Sequence, residues 1–353
     1  MKLPSINIVF STQAASAIER SQKGIVALII RDSAANGSYI LTKTKQIPTE
    51  LSTANKNYIS RAFIGNEDPP KKVIVYVLPE DAEDLSEALT YLEGQKFDYL
   101  AGPPDITTAE CTEIVNWIES MRADGFTPKA VLPNTAADNE AIINFTTSGI
   151  NDGTNTYTAA EYCSRIAGLI AGTPMAISCA YAVLPEVVDI DRLSNDEADE
   201  AVAKGQFILV YDGEKVKVGR GVNSLQTTTE DKGEPFKKIK IVEAVDMIKT
   251  DIKKTIEDNY IGKYTNSYDN KCLLISAIKG YFTGLENDGI LKAGSTVEID
   301  IDAQEAYLQS IGKDTSTMSE EEIKTAATGD KVFLKASVTI LDAIEDVDIN
   351  ITI

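Results

Sequence analysis

Histidine is absent from all 353 residues of this sequence. That removes the commonest general base, the commonest metal ligand and any Ser-His-Asp triad, which lowers the prospect of catalysis without excluding it. Cysteine is scarce: Cys111, Cys163, Cys179 and Cys272 are too scattered for a metal cluster and too few for a disulfide scaffold, so reduced core thiols are expected. Basic residues are outnumbered, with 34 Lys and Arg against 54 Asp and Glu and a formal charge of -20. Phosphate binding needs clustered Lys and Arg, so neither nucleic acid nor an anionic membrane is the expected partner. No apolar run approaches the length of a membrane span, and Met1-Lys2-Leu3-Pro4 lacks the apolar core of a signal peptide, so a cytoplasmic protein is expected. No G-x-x-x-x-G-K-[ST] motif occurs, leaving nucleotide hydrolysis without apparatus. Gly219-Arg220-Gly221-Val222-Asn223 comes nearest to a phosphate cradle, but it lacks a third glycine and follows a hairpin strand, so it reads as a tight turn.

What is present describes a globular chain. A hydrophobic share of 43% with 25% charged residues is ordinary for a folded protein, and the length suits two or three domains. Both ends read as strand. Ile6, Ile8 and Phe10 alternate with Ser5, Asn7 and Val9; Val347, Ile349, Ile351 and Ile353 alternate with Asp346, Asp348, Asn350 and Thr352. A period of two marks a strand with one buried face. An alternating strand at a terminus is an edge, which either folds back into its own domain or is donated to a neighbour.

Between these ends, five regions are expected: an arm and linker over 1–22, a β-rich module over 23–71, an α/β domain over 72–225, an α+β domain over 226–340 and a strand arm over 341–353. Ser11 to Gln22 is small and polar, suited to an extended linker. Ile25 to Ile30 is an apolar run typical of a buried strand. From residue 72, strands at 73–78, 97–100 and 130–132 alternate with helical periods over 79–93 and 108–121, which implies right-handed crossovers and a mostly parallel sheet. Thr158-Ala-Ala-Glu161 is a capping box, with Gly172 closing its helix. A hairpin is expected from Phe207 to Val218, turning at Asp212-Gly213. Later, Ile241, Val245, Ile248, Ile252 and Ile256 form one apolar stripe on a long helix. A second helix over 273–285, a strand over 297–301, a surface insertion over 310–330 and an alternating strand over 331–340 complete the pattern.

Two charged groups compete for a functional reading. Asp189, Asp191, Asp196, Glu197, Asp199 and Glu200 lack the ligand order of a calcium loop and read as a solvated helix face. Lys237, Lys238, Lys240, Lys249, Lys253 and Lys254 are the dense basic cluster of an acidic chain; they either cover apolar surface with their stems or dock an acidic partner.

The order of features resembles the tail sheath proteins of contractile phage tails and phage-tail-like bacteriocins. It is carried by Ala130-Val131-Leu132-Pro133-Asn134, by Arg165 to Gly172 (RIAGLIAG), by Gly219 to Leu225 (GRGVNSL), by Ile241 to Ile248 (IVEAVDMI) and by the closing stretch from Ala336 to Ile353. The resemblance implies a non-enzymatic structural subunit without cofactor or metal, assembled in a bacterial cytoplasm. It implies a homo-oligomer of stacked hexameric rings around a tail tube protein, in contact with baseplate and tail terminator proteins, that contracts from a metastable state to drive the tube through a cell envelope. Strand arms exchanged between subunits would complete a C-terminal sheet, with Ile6, Ile8, Phe10, Val347, Ile349 and Ile351 as the donated residues, Ser11–Gln22 and Leu341–Glu345 as hinges and Lys249, Lys253 and Lys254 against the tube. A static shell subunit and a carboxylate-dependent α/β enzyme are the alternatives.

Overall fold

A strand that is apolar at every position has no face for water and must be covered on both sides. The run from Ile25 meets that requirement. In the computed structural model, which describes Ile18 and residues 24–352, it forms β1 (Ile25–Arg31), inside a seven-stranded sheet. The elements that follow are β2 (Gly37–Leu41), α1 (Thr53–Ala62), β3 (Lys72–Leu78), α2 (Ser86–Glu93), β4 (Tyr99–Ala101), α3 (Thr108–Ala123), β5 (Lys129–Pro133) and β6 (Ile142–Phe145). A small pair, β7 (Ile150–Asn151) and β8 (Thr156–Tyr157), precedes α4 (Ala159–Ala171), α5 (Asn195–Ala203) and β9 (Gln206–Phe207). The large sheet runs β2-β3-β1-β4-β5-β6-β9, parallel throughout except for β2 against β3.

Alternate residues divide the core into two layers. Val26, Leu28 and Ile30 join Val73, Val75 and Val77 in one layer with Tyr58 and Ile59 of α1 and Ile166 and Ile170 of α4. Ala27, Ile29 and Ile74 face the other way, among Leu89 and Leu92 of α2 and Ile114 and Ile118 of α3. The two helices of the first layer meet closely at Gly168. A Cβ there would stand 2.0 Å from the Ala62 carbonyl oxygen, so no larger residue fits.

This topology corrects the expected β-rich module over 23–71. Its strands do not pack as a unit of their own: β1 lies between β3 and β4, paired with Lys72–Leu78 on one side and Tyr99–Ala101 on the other. Parallel pairing joins residues distant in sequence, so an apparent module boundary at residue 72 runs through the middle of a sheet. Smaller corrections follow from local chemistry. Helix α2 starts at Ser86 instead of Pro79, after the Asp84 carboxylate has accepted from the Ser86 backbone N–H and hydroxyl. Phe207 belongs to the large sheet, and the hairpin is confined to β10 (Leu209–Tyr211) and β11 (Val216–Val218). The capping box is as expected: Thr158 Oγ1 accepts from the Glu161 N–H while Glu161 reaches back to the Thr158 N–H at 2.8 Å.

The described residues divide into two compact units, one of residues 24–247 with 342–352, the other of Ile18 with Ile248–Leu341. The division falls within α6 (Ile239–Asn259). The second unit contains α7 (Tyr268–Asn287), β12 (Thr296–Ile299), α8 (Ile301–Ser310), α9 (Glu320–Thr325) and β13 (Leu334–Ser337). The insertion expected over 310–330 does carry a short helix, α9, capped by Ser319 and Glu322. The strand expected over 331–340 is shorter, four residues paired antiparallel with β12 from Thr296↔Ser337 to Ile299↔Leu334. Those two strands form a sheet on their own.

Candidate assembly surfaces

A sheet of two short strands is marginal in water, because neither its backbone edges nor its faces are fully used. The β12–β13 pair is such a sheet. Thr296 and Glu298 of β12 and Lys335, Ala336 and Ser337 of β13 are exposed, Val297 and Leu334 are half-buried, and Ile299 is the one buried residue of the pair. Directly after it, Leu291 bridges Ile340, and the Lys292 N–H donates to the Thr339 carbonyl at 2.8 Å.

Beyond that bridge the chain forms no strand among the described residues 341–352. Val347, Ile349 and Ile351 are 66%, 74% and 81% exposed, and Ile344 is more exposed still. The alternation read from the sequence is present, and among the described residues it forms no ladder: three β-branched side chains stand in solvent. The other expected exchange residues, Ile6, Ile8 and Phe10, and nearly all of the Ser11–Gln22 linker, lie outside the described residues.

Helix α6 presents a second surface. Of the five residues expected to form its apolar stripe, only Ile241 is buried; Val245, Ile248, Ile252 and Ile256 are half-buried. The buried positions instead include Glu243, Asp246, Asp251 and Thr255. Buried acids need compensation. In the larger unit, Lys129 Nζ reaches Asp246 at 3.2 Å and Glu243 at 3.7 Å, and Arg122 grips Asp246 with both terminal nitrogens at 2.9 and 3.0 Å. The Tyr99 hydroxyl donates to Glu243, and the Asp98 carboxylate accepts from the Gly24 and Ile25 backbone N–H groups at 2.8 Å. Burial would raise the Asp246 carboxyl, but the Lys129 and Arg122 cations outweigh it and hold it below the ordinary range. For Asp98 burial wins, and its carboxyl is pushed up. In the smaller unit Asp251 accepts from the Tyr281 hydroxyl at 2.7 Å.

The lysines of α6 are divided by this arrangement. Lys249 and Lys254 are exposed, Lys253 is half-buried and Lys254 pairs with Asp258 at 2.9 Å. Lys238 and Lys240 do not share that setting; Lys238 pairs with Asp342 instead. The structure thus breaks the basic cluster into two groups with different surroundings.

Nothing among the described residues assembles a metal site. The acidic run on and before α5 is exposed, with Ser194 capping Glu197 and Arg192 paired to Asp189 at 2.9 Å. Gly219 to Asn223 forms a link between chain segments: Val222 bridges Lys238, and Asn223 is buried with its side-chain amide donating to the Phe236 carbonyl. All four cysteines are free thiols, three of them buried. No described helix is long and apolar enough to cross a membrane. Exposed aliphatics and a small two-stranded sheet are features that contacts with other chains can complete.

Comparison with known proteins gives the family. The description "Phage tail sheath protein central domain" matches residues 80–224, and "Phage tail sheath C-terminal domain" matches residues 231–353. The tail sheath protein of Clostridium phage phiCD119 is 42% identical over 355 residues, covering 99% of both chains. Among solved structures, the helical sheath of the anti-feeding prophage in its contracted state matches with a TM-score of 0.73 at 16% identity, covering 100% of this chain and 99% of that one. The sheath tail protein of Desulfitobacterium hafniense matches with a TM-score of 0.70 at 18% identity, covering 84% and 94%. At such identities the structural likeness establishes the fold; the two domain matches and the full-length relative establish descent. The chain belongs to the phage tail sheath protein family, a family of structural tail components and not of enzymes.

Proposed function

We propose that this chain is the repeating subunit of a contractile sheath, polymerising as stacked hexameric rings around a tail tube between a baseplate and a tail terminator. In this reading the sheath is built in an extended, metastable form and shortens to drive the tube through a target envelope. Subunits rotate and repack into a lower-energy array, so the energy is stored at interfaces and no nucleotide is consumed. The observation that carries it is the pairing of a small sheet with surplus strand sequence: among the described residues β12 and β13 pair only with each other, while Val347, Ile349 and Ile351 are exposed and lie in no strand. Backbone ladders between subunits suit a machine that moves, because they hold neighbours together while side-chain interfaces exchange. Ile6, Ile8 and Phe10 would supply the second donated strand.

The test is deletion. Removing 346–353, or 1–12, should leave a folded subunit that cannot form cylinders; normal sheaths from both truncations would end the proposal. Electron microscopy of full-length protein grown on its tube, before and after acid or denaturant shock, should give long and short cylinders. A single unchanging lattice would indicate a static shell.

A lesser part of the proposal places Lys249, Lys253 and Lys254 against the tube. Lys249, exposed, and Lys253, half-buried, stand four residues apart on α6 beside the half-buried Ile252 and Ile256, an apolar and basic strip suited to an acidic partner, with Lys254 exposed next to Lys253. Reversing all three charges should weaken growth on tubes; unchanged growth would remove this contact.

A further inference from the structure

Ile344 and Glu345 invert the usual rule of burial. Ile344 is 89% exposed, whereas the side chain of Glu345 next to it is 9% exposed. Glu345 is held by three groups of the larger unit: Arg220 Nε at 3.1 Å, Lys238 Nζ at 3.8 Å and the Ser178 hydroxyl, which donates at 2.9 Å. Asp342 pairs with Lys238, and Asp346 with Arg220. Lys240 feels both Asp342 and Glu345, though burial dominates and lowers its ammonium. Burial would likewise raise Asp342; the Lys238 ammonium and the Ala343 N–H hold it below its ordinary value.

The patch is built by the glycine segment. The Ile239 N–H donates to the Gly221 carbonyl at 2.9 Å, and Val222 bridges Lys238, which sets Arg220 beside Lys238. A Cβ on Gly221 would come within 3.1 Å of Cys179 Sγ and 3.2 Å of Ser178 Oγ. The bare glycine therefore lets the Ser178 hydroxyl approach the same carboxylate as Arg220.

We propose that Arg220, Lys238, Lys240 and Ser178 form a binding site for a short acidic peptide, occupied by Asp342, Glu345 and Asp346 of the same chain, which fixes where the donated strand begins. The inference rests on strand donation as argued above. It replaces the expected free hinge at Leu341–Glu345 with an anchored root. Charged residues are spent on the subunit's own surface while Val347, Ile349 and Ile351 are kept clear of it. A strand tethered at its root searches a small volume for a neighbour's sheet edge, which raises its effective concentration there.

The test uses the full-length subunit with Arg220→Glu and Lys238→Glu together. Before assembly, a glutamate-specific protease should cut after Glu345 about tenfold faster than in the wild type, the combined effect of losing several partly buried ion pairs. On tubes, the same variant should give few or no sheaths. Adding Asp342→Lys and Glu345→Lys restores opposite charges and should restore sheaths, which separates lost anchoring from misfolding. Unchanged cleavage in the reversed variant would overturn the site; faster cleavage with normal sheaths would overturn its positioning role. Deleting 347–353 leaves the anchor whole, so normal sheaths from that truncation would sink strand donation while leaving the cleavage result standing.

Discussion

The two units use β-structure in opposite ways. In the larger one, five of seven strands lie between neighbours on both sides, β1 and β3 are buried along nearly their whole length, and helices cover each face. In Ile248–Leu341 the sheet is two strands of four residues with most side chains half-buried or exposed. A buried parallel sheet has its hydrogen bonds and its apolar surface satisfied within one chain. A two-stranded sheet is short of both and gains by acquiring strands. The lesson is a division of labour: one unit carries a large, covered sheet, and the other a small sheet with edges that the proposed assembly would use.

Several experiments would break or sharpen that contrast. The largest effect concerns assembly itself. The free subunit should unfold in two steps, the lower belonging to Ile248–Leu341, and polymerisation should raise only that step, because binding stabilises the form that binds. Calorimetry of free subunits against sheaths reads this directly, and a single transition in the free subunit would contradict it.

Next in size is Lys129→Met. Lys129 is buried between Asp246 and Glu243, and removing one partner of a buried ionic group costs about 3–5 kcal/mol because the remaining charges stay uncompensated. Thermal unfolding should lose that from the upper step alone. Gly168→Val should cost about 1–3 kcal/mol or force α1 from α4, since the Ala62 carbonyl occupies the space a side chain needs.

Acid should act on the larger unit through Asp246. Its carboxyl is held below the ordinary value in the folded state, so its contribution is fully present above the unfolded value and is lost as pH falls through the folded one. Asp98 has the opposite sign: raised by burial, it favours the folded state only once protonated, and so offsets part of that loss. Asp246→Asn should flatten the acid limb of stability, followed by circular dichroism between pH 5 and pH 2. Smallest of all is Lys254→Ala. Its pair with Asp258 is exposed on both sides, and stability of the smaller unit should shift by no more than about 0.5 kcal/mol.

Local rules carried much of the fold. The capping box at Thr158, the strands near 73–78 and 130–132 and the long helix from residue 239 were readable because each depends on residues within a few positions of one another. The buried face of α6 was not. Its apolar stripe suggested Val245, Ile248 and Ile252 as the inward side, whereas Glu243 and Asp246 go inward because Lys129 and Arg122, more than a hundred residues earlier, neutralise them. The anchor of the C-terminal segment was hidden for the same reason. Arg220 read as a turn residue and Lys238 as one of a basic run, and only folding brings both to Asp342, Glu345 and Asp346. A clue did exist in the acids placed just before an alternating aliphatic strand, the reverse of a segment meant to dock by its aliphatic face.

By itself the sequence determined the periods: which segments are helix or strand, which strand ends carry aliphatics to spare, and that histidine chemistry has no place. Periodicity and capping are short-range effects, written within a few residues. Tertiary structure alone decided that β1 sits inside the sheet, that acids on α6 turn inward and that the C-terminal segment is held at its root. Each is a choice among partners far apart in the chain, settled by parallel pairing and charge compensation that no local pattern encodes.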